Sequence, residues 1–443
     1  MNSKSIITLL IFAILIFLPI QSIAQSYNWY TLEAEGNATE RHENALVKAG
    51  NKFILLGGRG LKPIDIYDTQ TNEWTEGAQP PFEIHHIQAV ELDGLVYVVG
   101  AMTGGWPYET PLSHILIYDP VLDKWGTGPE IPENRRRGAA GTVVYDDKIY
   151  VACGIINGHT SGWVSWLDEF DPKTNLWREL PNAPRSRDHL HAAVVDDKLV
   201  VAGGRRSGYG GGGFETTISE TNIYDFITGE WTELPSPDGD IPTERAGIAA
   251  AVHQNNVVII GGESGSQQTA HNEVESLDLS TGTWESLPSL KRGRHGTQAI
   301  NVGDMLVVGA GSGDRGGGPE LTSFEVFSNA ENPEFPNNPL TKAELTVSSE
   351  SISFSRDDRG GKEVILSSQN GNQASLISYI QIDNTTDFEL DLPMKTPFIL
   401  APGQKIPIDV TWIGNRSGDS EATLFIKPLG DAEPLSVKVK AIQ

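Results

Sequence analysis

Five arginines and one histidine recur along the chain, at Arg41, His85, Arg137, Arg187, Arg245 and Arg294, each opening a stretch of small and apolar residues. Guanidinium groups bind carboxylates through two parallel hydrogen bonds. If these six positions meet around one opening, they form an anion-receiving ring on a chain whose net charge is −25. The same recurrence also fits a structural task, in which each arginine ties neighbouring repeats together through carbonyls and acidic side chains. Arg59 and Arg205 follow glycine-rich turns, Glu263 adds a carboxylate, and Trp106, Trp163 and Tyr209 offer flat faces to a sugar ring. The first six residues are the ring candidates, and the second six are the loop-face candidates.

Histidines raise the question of a metal. His42, His86 and His295 each follow a ring position, and His189 and His191 lie close together in the fourth repeat. Imidazoles lining a channel suit copper or zinc. The carboxylates that orient metal-bound histidines cannot be located in a sequence, so no metal and no cofactor are assigned. The run Gly210–Gly213 has the composition of a phosphate cradle but lacks the lysine and serine spacing of one, and reads as a loop. Asp68, Asp119, Asp171, Asp225 and Asp278 recur just after an apolar strand and read as hairpin-turn residues.

The elements that must position these groups announce themselves by period. Trp29, Trp74, Trp125, Trp177, Trp231 and Trp284 follow one another at gaps of 45 to 54 residues, a spacing typical of propeller arrays. Within each period the ring residue starts a strand, and a short polar turn such as Asp196-Asp197-Lys198 leads to a second strand. That strand ends in a glycine pair, as at Gly57-Gly58, Gly203-Gly204 and Gly261-Gly262. A third strand carries Ile66-Tyr67-Asp68, Ile117-Tyr118-Asp119 or Ile223-Tyr224-Asp225, and a fourth closes on the tryptophan. The pattern resembles the kelch family across roughly Ser26 to Ser328. Departures occur at Gly100-Ala101, Cys153-Gly154 and Gly309-Ala310-Gly311. The resemblance implies a six-bladed β-propeller. The sixth repeat lacks a tryptophan strand and a surplus one stands at Tyr27–Thr31, so the N-terminal strand is expected to complete the last blade and remove an open edge.

The strand order places the ring residues and the loops after the glycine pairs on one side of the disc, where function on a rigid scaffold usually resides. Two enzyme types of the kelch family are weighed against binding. A copper-radical oxidase needs a cysteine-linked tyrosine and a tyrosine-histidine pair. Cys153 stands in a glycine-pair slot and no tyrosine precedes a histidine, which argues against it. A sialic acid mutarotase would suit an arginine-lined mouth, with Glu215, Glu263 or His85 as acid or base.

The rest of the chain sets the context. Residues 1–24 read as a signal peptide, with an apolar run from Ile6 to Ile20 and small residues at Ser22 and Ala24. The protein is therefore expected to be secreted or periplasmic, with no membrane span after cleavage. Its acidity argues against nucleic acid and anionic membranes, and its single cysteine excludes an internal disulfide framework. The propeller is expected over 25–330, a proline- and asparagine-rich linker over 331–342, and a second all-β unit over 343–443. Alternating strands in that unit resemble the immunoglobulin-like sandwiches, of adhesion type, appended to secreted bacterial proteins. The expected function is non-catalytic binding of a glycan or protein on the propeller loops. The alternative is an acidic-sugar mutarotase at the arginine-lined mouth.

Overall fold

The computed structural model describes residues 26–208, 213–358, 360–414, 418–430 and 433–442. The expected leader, residues 1–24, lies outside the described residues, as does Tyr209. Among the described residues, six four-stranded antiparallel sheets account for the first part of the chain. The first is built from Asn44–Ala49, Lys52–Gly57, Asp65–Asp68 and Glu73–Glu76. The innermost strand of each sheet packs against that of the next, and the last, Ala299–Val302, packs back on Asn44–Ala49. The sheets therefore form a closed ring of six blades. The N-terminal strand Asn28–Thr31 pairs antiparallel with Phe324–Ser328, setting Trp29 opposite Phe327, and supplies the outer strand of the last blade.

The recurring tryptophans hold blades together. Five of the six carry the indole to the blade before, where the ring N–H donates to a backbone carbonyl, and Trp74 packs on Phe324 of the last blade. Trp29 reaches Pro288 at 2.8 Å, Trp125 reaches Ala78 at 3.2 Å, and Trp177 reaches Glu130 at 3.1 Å. Trp231 reaches Pro181 at 2.7 Å and Trp284 reaches Gly239 at 3.1 Å. An amphipathic ring with one donor suits a seam that is apolar along its length and ends in an orphan carbonyl. The recurring aspartates are turn residues. Asp68, Asp119, Asp171, Asp225 and Asp278 each accept the amide two residues on.

The second unit consists of two sheets that share one core. Glu344–Val347, Lys362–Gln369, Lys405–Trp412 and Phe388–Asp391 make the smaller. Ser351–Ser355, Leu435–Ile442, Ser420–Pro428, Ser375–Ile382 and Phe398–Leu400 make the larger, in which the first pair runs parallel. Alternate residues of both, such as Val364, Ile408, Leu424 and Val439, are buried between them. The unit docks on the turns of the second and third blades. Gln373 is buried there and donates to Asp119 Oδ1 at 2.9 Å and Gly94 O at 3.2 Å. Ala374, Leu376 and Ile399 join the core of the propeller. Those turns lie at the opposite end of the strands from the ring residues, so the second unit leaves the loop face open.

Candidate functional site

The ring arginines do not face a ligand. Arg41, Arg187 and Arg245 are fully buried, and Arg137 and Arg294 nearly so. In every case the guanidinium donates to a carbonyl sixteen residues later, at Gly57, Cys153, Gly203, Gly261 or Ala310. It then meets a side chain at the start of the third strand of the same blade. The partners are Asp65, Asp168, Asn222, Glu275 and Glu325. These arginines are clamps that pin the second strand to the third within one blade. The expectations that their side chains form an anion-receiving mouth, and that these side chains join neighbouring blades, are both corrected. A buried guanidinium needs its donors satisfied, and the nearby carbonyls and third-strand side chains take up most of them, while Nε of Arg187 and of Arg294 finds no hydrogen-bond partner among the described residues.

His85 is also buried, but it is not the counterpart of the arginines. The carbonyls of Arg41, Arg187, Arg245 and Arg294 each accept an amide from the glycine motif of the preceding blade, and in the second blade that acceptor is Ile84. His85 is one place further on. Its ring lies 2.7 Å from His86 Nδ1 and 2.9 Å from Gly104 O.

Two places beyond the clamp position lies a second row, Glu43, His86, Ala139, His189, Gly247 and Gly296. All six have positive φ, between 51° and 61°. Each amide from His86 onward donates to the carbonyl of the preceding member, and Asn44 N closes the circle on Gly296 O at 3.2 Å. The left-handed conformation turns each peptide along this circle, which explains why two of the six are glycine. The other non-glycine residues occupy a conformation that costs energy and is enriched at functional sites. This row, not the arginine row, lines the throat of the channel.

Above the throat the loops enclose a cavity of about 610 Å³. Its walls include His42, Glu43, Arg59, Glu83, His159, Arg205, Glu263 and His295, with Trp106 and Phe214 as aromatic surfaces. Trp106 is 70 % exposed and stands at the rim. Arg59 donates to Glu109 Oε1 at 2.6 Å. Arg205 donates to Glu263 Oε1 at 2.6 Å and Ser207 Oγ at 3.0 Å, and lies across the Phe214 ring. Glu263 also accepts from Gly316 N at 2.8 Å and faces His295 Nε2 at 3.4 Å. Burial pushes the Glu263 pKa up, but His295 and Arg205 outweigh it and keep the carboxyl below its ordinary value. Burial likewise opposes ionisation of Glu43, and the surrounding His189, His295, His42 and Arg59 bring it down to about 2.

Of the loop-face candidates, the structure brings together Arg59, Trp106, Arg205 and Glu263 around this cavity. Trp163 is placed elsewhere. It packs on Met102, Ala139 and Ile155, and its indole donates to Ser207 O at 3.0 Å. Cys153 is buried with its thiol pKa raised to about 11 by desolvation, the state of an inert small residue. Sequence reasoning missed Glu109 and His159, which lie in loops without a period. His159 occupies the tip of a hairpin between Ile155–Asn157 and Ser161–Trp163. Gly158 precedes it with φ 56°, and a Cβ there would stand 2.6 Å from Glu109 Oε2 and 2.5 Å from Pro107 O. That glycine lets the hairpin approach the acid closely enough for the His159 ring to engage it.

The comparisons with known proteins agree with this architecture. The family described as Attractin/LZTR1 beta-propeller matches residues 20–270. The chain belongs to that family. It is also similar to the kelch-like protein terF of Aspergillus terreus, with 28% identity over 64% of each chain. Human kelch-like protein 23 is 28% identical over 61% of this chain and 44% of its own. The kelch-like protein 25 of Xenopus tropicalis is 26% identical over 56% and 41%. The chain thus spans less than two thirds of the length of these relatives. The solved structure of YjhT superposes with a TM-score of 0.55, covering 66% of this chain and 96% of that one at 16% identity, which shows a shared fold. Both sets of relatives support a kelch propeller. No helix among the described residues is long and apolar enough to cross a membrane.

Proposed function

We propose that this propeller is an exported receptor for a hydroxyl-rich ligand, a neutral sugar or the end of a glycan, held in the cavity above the throat. The observation that carries the reading is the composition of one concave wall. Exposed Trp106 offers a stacking face beside an alternation of carboxylates and guanidiniums. Both arginines already neutralise acids, Arg59 with Glu109 and Arg205 with Glu263. A strongly anionic ligand would therefore have to displace these pairs. Sugar hydroxyls can donate to the carboxylates and accept from the guanidiniums without breaking them. The volume falls within the roughly 300–1,000 Å³ of small-molecule sites. The apolar leader supports export, and the second unit, read as an immunoglobulin-like spacer, holds the propeller from the face away from the cavity.

The test is a thermal-shift series on the full chain with neutral hexoses, amino sugars and uronic and sialic acids. A neutral sugar at a hundred times its Kd should stabilise the fold by about 2.7 kcal/mol, and Trp106→Ala should remove the shift without lowering the unliganded Tm. No shift with any sugar, or an unchanged shift in the variant, would refute the reading.

A second reading rests on Glu263 and His295, an ionised carboxylate and an imidazole 3.4 Å apart in the same cavity. They have the placement of a base and an acid for opening a sugar ring, as a mutarotase requires. Acceleration of anomer exchange in an NMR assay, lost in Glu263→Gln, would put this reading first.

A further inference from the structure

Three histidines meet where the cavity narrows into the throat. The imidazoles of His86, His159 and His189 form a triangle with ring centroids 4.7 to 4.9 Å apart. One nitrogen from each lies within 4.8 Å of the other two. His159 Nε2 and His189 Nε2 face each other at 3.0 Å. The opposite nitrogens are occupied by acids. His159 Nδ1 lies 3.0 Å from Glu109 Oε1, and His189 Nδ1 is hydrogen-bonded to Asp188. Asp188 is itself fixed by the amide of Ser207 at 3.0 Å and the hydroxyl of Ser207 at 2.5 Å. Glu109 is fixed by Arg59.

This arrangement has a consequence for the protons. An Nδ1–H donated to a carboxylate leaves Nε2 as a lone pair. In the neutral rings two such lone pairs then point at one another across 3.0 Å, while buried His86 Nε2 has no hydrogen-bond partner among the described residues and lies 3.5 Å from Glu43 Oε2. Three inward lone pairs beside a carboxylate lack one thing, a positive charge between them. Carboxylates that orient histidines from behind are the usual outer partners of a metal-ligating imidazole.

We propose that His86, His159 and His189 bind one divalent late first-row transition ion, such as zinc, through their inward nitrogens. Metal–nitrogen bonds of about 2.0–2.1 Å in tetrahedral array need the nitrogens roughly as close as His159 and His189 already are. The His86 nitrogen, within 4.8 Å of both, has to close on them. The energetic cost of the throat conformation points the same way. Glycine occupies the equivalent place at Gly247 and Gly296, yet His86 and His189 take positive φ there with large side chains. His159 and Glu43 also border the cavity, so the fourth coordination position opens toward whatever the cavity holds. Three histidines and an open site have the donor set of a catalytic rather than a closed structural zinc centre. The inference holds whether or not the cavity takes a sugar.

The experiment uses the full chain without an affinity tag, stripped with a chelator and dialysed. Titration with zinc chloride by calorimetry should show one strong site per chain. Cobalt chloride should give the intense visible absorption of a four-coordinate ion. His159→Ala should abolish the strong site, and Glu109→Gln should weaken it about 10–100-fold by releasing the ring it orients. His114→Ala, at the start of the third strand of the second blade and outside the linings of throat and cavity, should change nothing. A thermal melt of each stripped variant separates loss of ligand from loss of fold. A folded parent that takes up no zinc would overturn the proposal, as would a folded His86→Ala/His159→Ala/His189→Ala triple variant that binds like the parent.

Discussion

Two rows of residues run around the same ring only two positions apart in sequence, and they obey opposite rules. The clamp row is Arg41, Arg137, Arg187, Arg245 and Arg294, with Ile84 as its exception. It is nearly uniform, because every blade presents the same carbonyls at the same distance. The throat row is Glu43, His86, Ala139, His189, Gly247 and Gly296. It keeps one backbone conformation but varies in side chain from nothing to imidazole. Uniformity marks what each repeat needs for itself. Variation at a position of constant geometry marks what the assembled ring does once. In this propeller the titratable groups that meet around the channel belong to the varied row and to the loops that descend on it.

The strongest way to break this distinction is to remove a clamp. Arg245→Ala would leave Glu275 buried without its cation, and would also free the carbonyls of Gly261, Ile259 and Thr243. Removing one partner of a buried pair costs about 3–5 kcal/mol. Urea unfolding should show that loss, while Trp106→Ala at the rim should show almost none. A loss below about 1 kcal/mol, the scale of an exposed ion pair, would mean that the clamp assignment is wrong.

Acid separates the rows more gently. The clamp guanidiniums stay charged throughout, even Arg187, which burial lowers to about 10. His191 lies two residues past the throat, with Nε2 3.1 Å from Ile87 O. Burial pushes its pKa down to about 4, against the smaller upward pull of that carbonyl and of Glu43. Because the folded value lies below the ordinary one of about 6.5, the unfolded chain binds the extra proton first. Stability is therefore full above pH 6.5 and falls as pH drops toward 4, by about 3 kcal/mol from this group alone. Glu43, held at about 2, remains ionised across that window. Chemical unfolding at stepped pH should show the decline, and His191→Gln should make it shallower by about that amount, the other buried histidines such as His253 keeping their share. An equal decline in both proteins would assign the acid sensitivity elsewhere.

The contrast between the rows also explains what could be read from the sequence. The tryptophan period, the glycine pairs and the surplus N-terminal strand repeat or complement one another, so the six blades and their closure were legible. So was the arginine row, although its burial was not. Recurrence alone cannot distinguish a donor aimed at a carbonyl from one aimed at a ligand. The misplacement of His85 has a plain cause. Ile84 breaks the arginine row, and His85 is the polar residue beside it. A signal for the throat was present but unused. Gly247 and Gly296 stand two residues after Arg245 and Arg294, and glycine at a fixed offset betrays a positive φ. Glu43 and His189 stand at that same offset after Arg41 and Arg187. Glu109 and His159 offered no such signal, since each occurs once, in a loop whose path depends on tertiary contacts.

The smallest effect is expected where the throat carries a side chain without chemistry. Ala139 has φ 51° and is buried, with its amide on His86 O at 3.3 Å and its carbonyl accepting His189 N at 3.0 Å. If the closed circle of hydrogen bonds imposes this conformation, Ala139→Gly relieves a left-handed cost of about 1–2 kcal/mol. Glycine's extra freedom in the unfolded chain takes back about 0.4–1 kcal/mol. The lost methyl contact with Met102 and Ile155 removes a little more. The variant should therefore unfold within about 1 kcal/mol of the parent, on the stable side if on either, and should take up zinc unchanged. Calorimetric melting together with a zinc titration checks both halves. A large destabilisation would show that the alanine methyl, rather than the backbone circle, holds the third blade in register. The throat row would then resemble the clamp row after all.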